Sequence, residues 1–207
     1  MDIIVKKVTV GKWKVNCYLI SCENEAWVID PGDDAQTIVR GLNLDSYELK
    51  GIVNTHSHFD HIGAVSEIKE RYNIPFFLHS KDKRLATQGN LYRRIVGDTL
   101  ICKTPIIDEY LDNLSFLDLK GNKIFIHHTP GHTNGGVCLE VNMNLFAGDM
   151  LLKNKGNISN LPGVNSKLMK ESLNLIFEKF HGFLINPGHG NSFILDDNLI
   201  HKFKSMI

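Results

Sequence analysis

The segment NTHSHFDHIG, residues 54–63, constrains this chain more than any other stretch, because three histidines and an aspartate occupy six consecutive positions within it. An apolar run typical of a buried strand leads into the segment, over residues 49–56. Residues 61–73, which follow it, have apolar side chains at helical intervals. The segment is therefore predicted to join the end of a strand to the start of a helix.

Four side chains of this segment, those of His56, His58, Asp60 and His61, can meet in one small volume. His56 and His58 are two residues apart, so in an extended chain they point to the same side, and the other two fall at the turn into the helix. Neutral imidazole and carboxylate are the groups that Zn²⁺, Fe²⁺ and Mn²⁺ take as ligands. A solvated surface loop is the simpler alternative, but H-x-H-x-D-H between a strand and a helix is a specific pattern that favours a metal site.

Further candidate ligands share one local setting, in which an apolar strand is followed by a glycine and then by a polar residue. They are His132 in TPGHT, Asp149 in FAGD and His189 in NPGHG. Glycine beside a ligand lets the backbone turn sharply and leaves room for a substrate. The recurrence of this setting predicts that these side chains complete the site.

Strand and helix patterns alternate along the chain. Strands are predicted over 3–10, 14–22, 26–30, 49–56, 74–80 and 182–188. Helices are predicted over 33–42, 61–73, 81–97 with a break near Gly89, and 166–180, and hairpins over 114–129 and 137–149. This order predicts an α/β fold in which helices cover mixed sheets. Because no linker, repeat or low-complexity tract interrupts residues 1–207, a single domain is predicted.

Composition excludes several classes of function. The formal net charge is zero, whereas nucleic-acid binders usually have a basic excess. No apolar run approaches the roughly 18 residues of a membrane span, and the first residues lack a signal-peptide pattern. We therefore expect a cytoplasmic protein with no nucleic-acid or membrane partner. Its cysteines are expected to be reduced and buried: Cys17, Cys22, Cys102 and Cys138.

The motif set resembles that of the metallo-β-lactamase-fold superfamily. It consists of VIDPG with Asp30, HSHFDH over 56–61, PGHT with His132, AGD with Asp149 and PGHG with His189, in that order. The likeness covers nearly the whole chain, and within the superfamily it points to the small glyoxalase II-like (hydroxyacylglutathione hydrolase-like) hydrolases. It implies a four-layer αβ/βα sandwich of two mixed β-sheets flanked by helices.

The resemblance also implies two divalent metal ions, with zinc expected and iron or manganese as alternatives. The implied ligands are His56, His58 and His132 for one ion, Asp60, His61 and His189 for the other, and Asp149 between them. Asp30 is expected to orient a ligand imidazole instead of binding metal. A hydroxide between the ions would attack a small thioester or ester, so Asp60 and Asp149 are the predicted catalytic residues.

Physical chemistry agrees with this division of ligands. Seven protein ligands are too many for one tetrahedral ion, and two dications in one site lower the pKa of the water between them. Two other interpretations stay open. One is a persulfide dioxygenase-like oxidoreductase with a single iron held by His56, His132 and Asp149, and the other is a catalytically idle binding module.

Departures from family patterns narrow the expected activity. The best-known β-lactamases of the superfamily have cysteine where this chain has Asp149, which argues against that activity. Glyoxalase II proper has a C-terminal helical domain that binds glutathione, and we expect none here because the chain ends 18 residues after His189. Residues 155–160 also differ from the usual pattern. Possible substrate contacts are Tyr92, Arg93, Lys153 and Lys155.

Overall fold

A computed structural model describes residues 2–153 and 163–205. Over these residues the strands form two six-stranded sheets. The first sheet contains, in spatial order, β1 (Ile3–Val10), β2 (Val15–Cys22), β3 (Glu25–Ile29), β4 (Glu48–Val53), β5 (Phe76–Leu78) and β6 (Glu109–Tyr110). The second contains β12 (Phe193–Ile194), β11 (Leu184–Pro187), β10 (Asn144–Gly148), β9 (Val137–Val141), β8 (Asn122–His128) and β7 (Phe116–Leu119).

Both sheets are mixed. In the first sheet, β1 to β3 pair antiparallel and β3 to β6 pair parallel. In the second sheet, only the pair β10 and β11 is parallel among the described strands. The helices are α1 (Ala35–Leu42), α2 (Phe59–Ile62), α3 (Val65–Tyr72), α4 (Lys83–Thr87), α5 (Gly89–Ile95), α6 (Ser166–Lys179) and α7 (Asp197–Lys204).

Strand β2 explains why the first sheet is covered on both faces. Its eight residues are all buried, and neighbouring side chains point to opposite faces. Cys17 and Leu19 pack in a core with residues of α1 and α3, whereas Tyr18 and Ile20 pack in a second core with residues of the other sheet. Full burial of such an apolar side chain stabilises the fold by roughly 1.5–3 kcal/mol.

Helix α6 covers the outer face of the second sheet. Asn165 caps it by accepting a hydrogen bond from the Leu168 amide at 3.1 Å, and its apolar side chains Leu173, Ile176 and Phe177 pack against the sheet in a third core. The layers are therefore helices, sheet, sheet, helices. This confirms the predicted four-layer sandwich of two mixed sheets.

The structure differs from the sequence prediction in three ways. The single helix predicted over 61–73 is divided into α2 and α3 at Gly63, where an added Cβ would lie 2.3 Å from the Gly32 carbonyl oxygen. The elements β6, β12 and α7 were not predicted. Cys102 is partly exposed, while the other cysteines are buried as expected. Among the described residues, no helix is both long and apolar enough to cross a membrane.

Candidate metal centre

The predicted ligands, and Asp30 beside them, all follow strands at one edge of the sandwich. Asp30 follows β3, residues 56–61 follow β4, His132 follows β8, Asp149 follows β10 and His189 follows β11. The carboxyl ends of parallel strands meet at one edge of a sheet, which is where α/β folds place their ligand sites. The structure therefore brings together side chains that lie far apart in the sequence.

The first group consists of three imidazoles, those of His56, His58 and His132. One nitrogen from each ring lies within 4.8 Å of the others, and all three residues are buried. The His58 Nδ1 and His132 Nε2 atoms are only 2.9 Å apart. Three imidazole nitrogens this close together are a usual set of protein ligands for a catalytic zinc ion.

The second group consists of Asp60, His61 and His189, whose ligand atoms also lie within 4.8 Å of one another. The Asp60 Oδ2 atom is 3.2 Å from His189 Nε2. His61 is fully buried, whereas the side chains of Asp60 and His189 keep 11% and 17% of their surface exposed. A substrate arriving from solvent would therefore meet these two side chains before His61.

Asp149 lies between the two groups. Its Oδ1 atom is 3.5 Å from His61 Nε2, and its Oδ2 atom is 3.8 Å from His132 Nε2 and 3.5 Å from His189 Nε2. Gly188 makes this approach possible, because a Cβ at that position would lie 2.2 Å from Asp149 Oδ1. One carboxylate can thus contact ligands of both groups.

Asp30 is engaged by protein donors. It accepts hydrogen bonds from the Thr55 amide at 2.7 Å and the Thr55 hydroxyl at 2.6 Å, and its Oδ2 atom lies 3.0 Å from His61 Nδ1. The latter contact turns His61 Nε2 toward Asp149. Asp30, His56 and His61 also lie close enough to form a third group, but the oxygens of Asp30 are already used. The expected contact between Asp30 and a ligand imidazole is present.

Burial and charge act in opposite directions on these side chains. Burial, reinforced by the neighbouring imidazoles, lowers the pKa of His56 well below its usual range. Burial also lowers the pKa of His132 to about 3, although Asp149 opposes this shift. For His61 burial is overcome by Asp149, Asp30 and Asp60, which raise its pKa. His56 and His132 therefore favour the neutral imidazole, the form that binds metal.

Unpaired polar atoms show that the site fits a cation. Within the described residues, His56 Nε2, His61 Nε2, His132 Nδ1 and Asp149 Oδ1 are buried without a hydrogen-bond partner. A buried polar atom left unpaired costs about 1–3 kcal/mol, and a bound cation would offset this cost for the atoms that face it. Imidazole nitrogen and carboxylate oxygen are the donor types that zinc, iron and manganese accept.

A model of the Metallo-beta-lactamase superfamily matches residues 10–177. The chain belongs to the metallo-β-lactamase superfamily. Members of this superfamily are mostly metal-dependent hydrolases. The match covers Asp30 and the predicted ligands from His56 to Asp149, and the second-sheet strand that precedes His189 lies just beyond it.

Relatives match this chain over nearly the whole length of both proteins. An uncharacterized protein of Aquifex aeolicus is 32% identical over 193 residues, which are 90% of this chain and 89% of the relative. The hydroxyacylglutathione hydrolase GloC of Haemophilus influenzae is 27% identical over 198 residues, covering 90% and 91%. The family resemblance inferred from the motifs is thus confirmed, with a hydrolase among the relatives.

Solved structures of the superfamily resemble this chain closely. The BLEG-1 B3 metallo-beta-lactamase is 29% identical, with a TM-score of 0.84 over 93% of this chain and 94% of that one. TTHA1623 in a di-iron-bound form is 28% identical, with a TM-score of 0.80 over 92% and 94%. The superfamily therefore includes a close structural neighbour that binds two metal ions.

The residues predicted as possible substrate contacts differ in their burial and in their hydrogen bonds. Arg93 is buried, with only 1% of its surface exposed, and donates to Asp98 at 2.7 Å and to the Phe59 carbonyl at 3.0 Å. Arg93 thus hydrogen-bonds the backbone of the HSHFDH segment and is not accessible to a substrate. The interpretation of Arg93 as a substrate contact is wrong. The Tyr92 hydroxyl contacts Gln88 at 3.4 Å. Lys155 and the segment 155–160 lie outside the described residues.

One buried side chain beside the ligands was not singled out from the sequence. Asp82, in the 3₁₀ turn Ser80–Asp82, accepts hydrogen bonds from residues next to His58 and His132. The segment around Asp82, HSKDK, has no glycine or ligand pattern. The contacts of Asp82 with Ser57 and Thr133 become evident only from the three-dimensional fold.

Proposed function

We propose that this chain is a dinuclear metal-dependent hydrolase that cleaves a small thioester or ester, as glyoxalase II does. The single observation that carries the proposal is the position of Asp149 between two groups of ligands. Its oxygens lie 3.5–3.8 Å from nitrogens of His132, in the first group, and of His61 and His189, in the second. A site for one ion would not need this second group.

The side chains present would divide between two ions. The proposed ligands are His56, His58 and His132 for the first ion, Asp60, His61 and His189 for the second, with Asp149 shared. When bound, such ions lower the pKa of a water between them and polarise the scissile carbonyl. Zinc is the proposed metal, and the di-iron neighbour supports iron as the alternative.

Asp60 is the proposed base and orienting group. Burial would raise the pKa of Asp60, but His61 and the hydrogen bond from His189 keep it below the usual range, so the carboxylate is ionised near neutral pH. Its side chain is 11% exposed, which leaves it accessible to a water molecule next to the substrate. A carboxylate within hydrogen-bond reach can align the attacking water and accept its proton.

Two further features support a small substrate. GloC, which matches 90% of this chain, is a hydroxyacylglutathione hydrolase, and this relative supports a small acyl substrate. The formal net charge of zero supports a small acyl compound over a nucleic acid as the partner. We also propose that residues 1–207 act as one domain in the cytoplasm.

Metal content and substrate range test this function together. Protein purified without chelator should contain about two equivalents of zinc or iron and should hydrolyse members of a panel of thioesters, esters and lactones. The panel should include a β-lactam because of the likeness to the BLEG-1 B3 metallo-beta-lactamase. One iron per chain, with oxygen consumed in the presence of glutathione persulfide, would instead establish the dioxygenase alternative.

A further inference from the structure

Asp82 is a buried carboxylate that the proposed chemistry does not use. Only 1% of its surface is exposed. Its Oδ2 atom accepts hydrogen bonds from the Ser57 amide at 3.0 Å and the Thr133 hydroxyl at 2.8 Å, and its Oδ1 atom accepts from the Gly135 amide at 2.7 Å. The Ser57 hydroxyl donates in turn to the Asp82 carbonyl at 2.9 Å.

These donors belong to two separate loops that supply metal ligands. Ser57 lies between His56 and His58, and Thr133 follows His132 directly. One carboxylate thus joins the loop after β4 to the loop after β8, across a sequence separation of 51 residues between Asp82 and Thr133. The same two loops supply the imidazole nitrogens of His58 and His132 that lie 2.9 Å apart.

Gly135 leaves the space that the Asp82 carboxylate occupies, because it has no side chain. A Cβ at position 135 would lie 2.8 Å from the Cγ, Oδ1 and backbone nitrogen of Asp82, which is closer than real Cβ contacts. The turn that presents Asp82 is itself fixed, because Asp112 accepts a hydrogen bond from the Ser80 amide at 2.8 Å. The contact between Asp82 and Gly135 is therefore fixed both by the space at Gly135 and by the turn that holds Asp82.

A carboxylate is the only side chain of this size that can accept all three hydrogen bonds. An asparagine has one acceptor oxygen, and its amide group would face either the Ser57 amide or the Gly135 amide, donor against donor. The loss of one acceptor oxygen would leave either the Ser57 or the Gly135 backbone N–H buried without a partner. The chemistry therefore requires aspartate at this position, and a shape-conserving substitution suffices to test it.

We infer that Asp82 is a positioning residue for the first metal ion: by joining the two loops, it holds His58 and His132 in a geometry that can share one cation. This inference rests on the proposed two-ion function and adds a residue to it. Asp82 contacts neither Asp60, His61 nor His189 in the hydrogen bonds described, so its effect should be confined to one of the two ions. Groups that orient ligands typically contribute about 10–100-fold to metal affinity.

Zinc competition titrations on metal-free protein test the inference without using activity. In Asp82→Asn and in Gly135→Ala, one of the two equivalents should bind roughly 10–100-fold more weakly while the other keeps its wild-type affinity. In the zinc-loaded variants, the ring NMR signals of His58 and His132 should shift and those of His61 and His189 should not. Asp108→Asn is the matched control, since Asp108 accepts a hydrogen bond from the Phe76 amide at 2.7 Å and contacts no ligand loop in the bonds described.

The control should retain both wild-type affinities even if its unfolding temperature falls. Unchanged affinities in folded Asp82→Asn would overturn the inference, and so would equal weakening of both equivalents, which indicates general destabilisation. If Asp82→Asn does not fold, Gly135→Ala decides by the same two criteria. A wild-type protein that binds no zinc or iron would overturn the proposed function itself, whereas two tight equivalents unaffected by either variant would overturn only the role of Asp82.

Discussion

His58 Nδ1 and His132 Nε2 lie 2.9 Å apart although 74 residues separate them in the chain. At this distance at most one of the two nitrogens can carry a hydrogen directed at the other. Burial lowers the pKa of His132 to about 3, so its imidazole is neutral at physiological pH. Ring nitrogens that meet in this way are preorganised for a cation, since folding has already brought them together.

We predict that a divalent transition metal will stabilise the protein against unfolding. A ligand that binds only the folded state stabilises it by about 2.7 kcal/mol at 100 times its Kd. The unfolding temperature of chelator-treated protein should therefore rise on addition of zinc, iron(II) or manganese. Calcium, which prefers oxygen ligands, serves as the control and should give a much smaller shift. Equal shifts with calcium and zinc would contradict a site made of imidazoles.

We predict that Asp60→Asn will lower kcat/KM for the hydrolysed substrate by roughly 10²–10⁴-fold, the range of general acid–base catalysis. The amide cannot accept a proton from the attacking water, and it weakens the contact with His189 at 3.2 Å. Turnover should be expressed per bound metal ion, which separates lost catalysis from lost metal. Asp118→Asn, at an exposed aspartate of β7, should retain wild-type activity. A fully active Asp60→Asn enzyme would remove Asp60 from the catalytic machinery.

The main fold was predictable because its large elements have strong local patterns. Strand β2 is fully buried and contains Val15, Tyr18, Leu19 and Ile20, and α6 has a regular apolar face with an asparagine cap. By contrast, β6 and β12 are two residues long, too short to show any periodicity. Such strands exist because a neighbouring strand provides hydrogen-bond partners, and this information is absent from the local sequence.

The site was predictable where ligand chemistry and glycine coincide in one motif. His132, Asp149 and His189 each have that setting, and the fold brings their side chains together. Arg93 was misinterpreted because a charged residue on a helix is usually exposed. Its burial depends on Asp98 and the Phe59 carbonyl, which lie 5 and 34 residues away. Asp82 was missed for the same reason, since its partners come from other loops.

We predict that Gly188→Ala will weaken the binding of at least one metal ion. The added Cβ would lie 2.2 Å from Asp149 Oδ1 and 2.6 Å from His61 Cε1, so one of these side chains must move. Zinc stoichiometry measured by elemental analysis should fall below two equivalents, and hydrolysis should decrease with it. Gly89→Ala is the matched control, because its Cβ would meet nothing nearer than Ile62 Cδ1 at 3.4 Å. Two tightly held equivalents in Gly188→Ala would show that Asp149 need not occupy this position.

The ion pair between Arg93 and Asp98, next to the HSHFDH segment, stabilises the folded state in a pH-dependent way. Burial would raise the pKa of Asp98, but hydrogen bonds from the Leu100 amide, Trp13 and Arg93 hold it below its ordinary value. A carboxylate whose pKa is depressed by folding stabilises the folded state above its unfolded pKa, about 3.9, and this contribution is lost as the pH falls through the folded pKa. Wild-type stability should therefore decline in acid partly through this group.

We predict that Asp98→Asn will lower the free energy of unfolding at pH 7 and that the difference from wild type will shrink below about pH 4, where the wild-type carboxylate also becomes neutral. Because Arg93 keeps its charge throughout, protonation of Asp98 and its replacement by asparagine remove the same ion pair. Urea unfolding of chelator-treated protein at several pH values measures the difference without a contribution from metal release. A difference that stayed constant between pH 7 and pH 3, or that grew in acid, would show that the charge of Asp98 does not stabilise the fold.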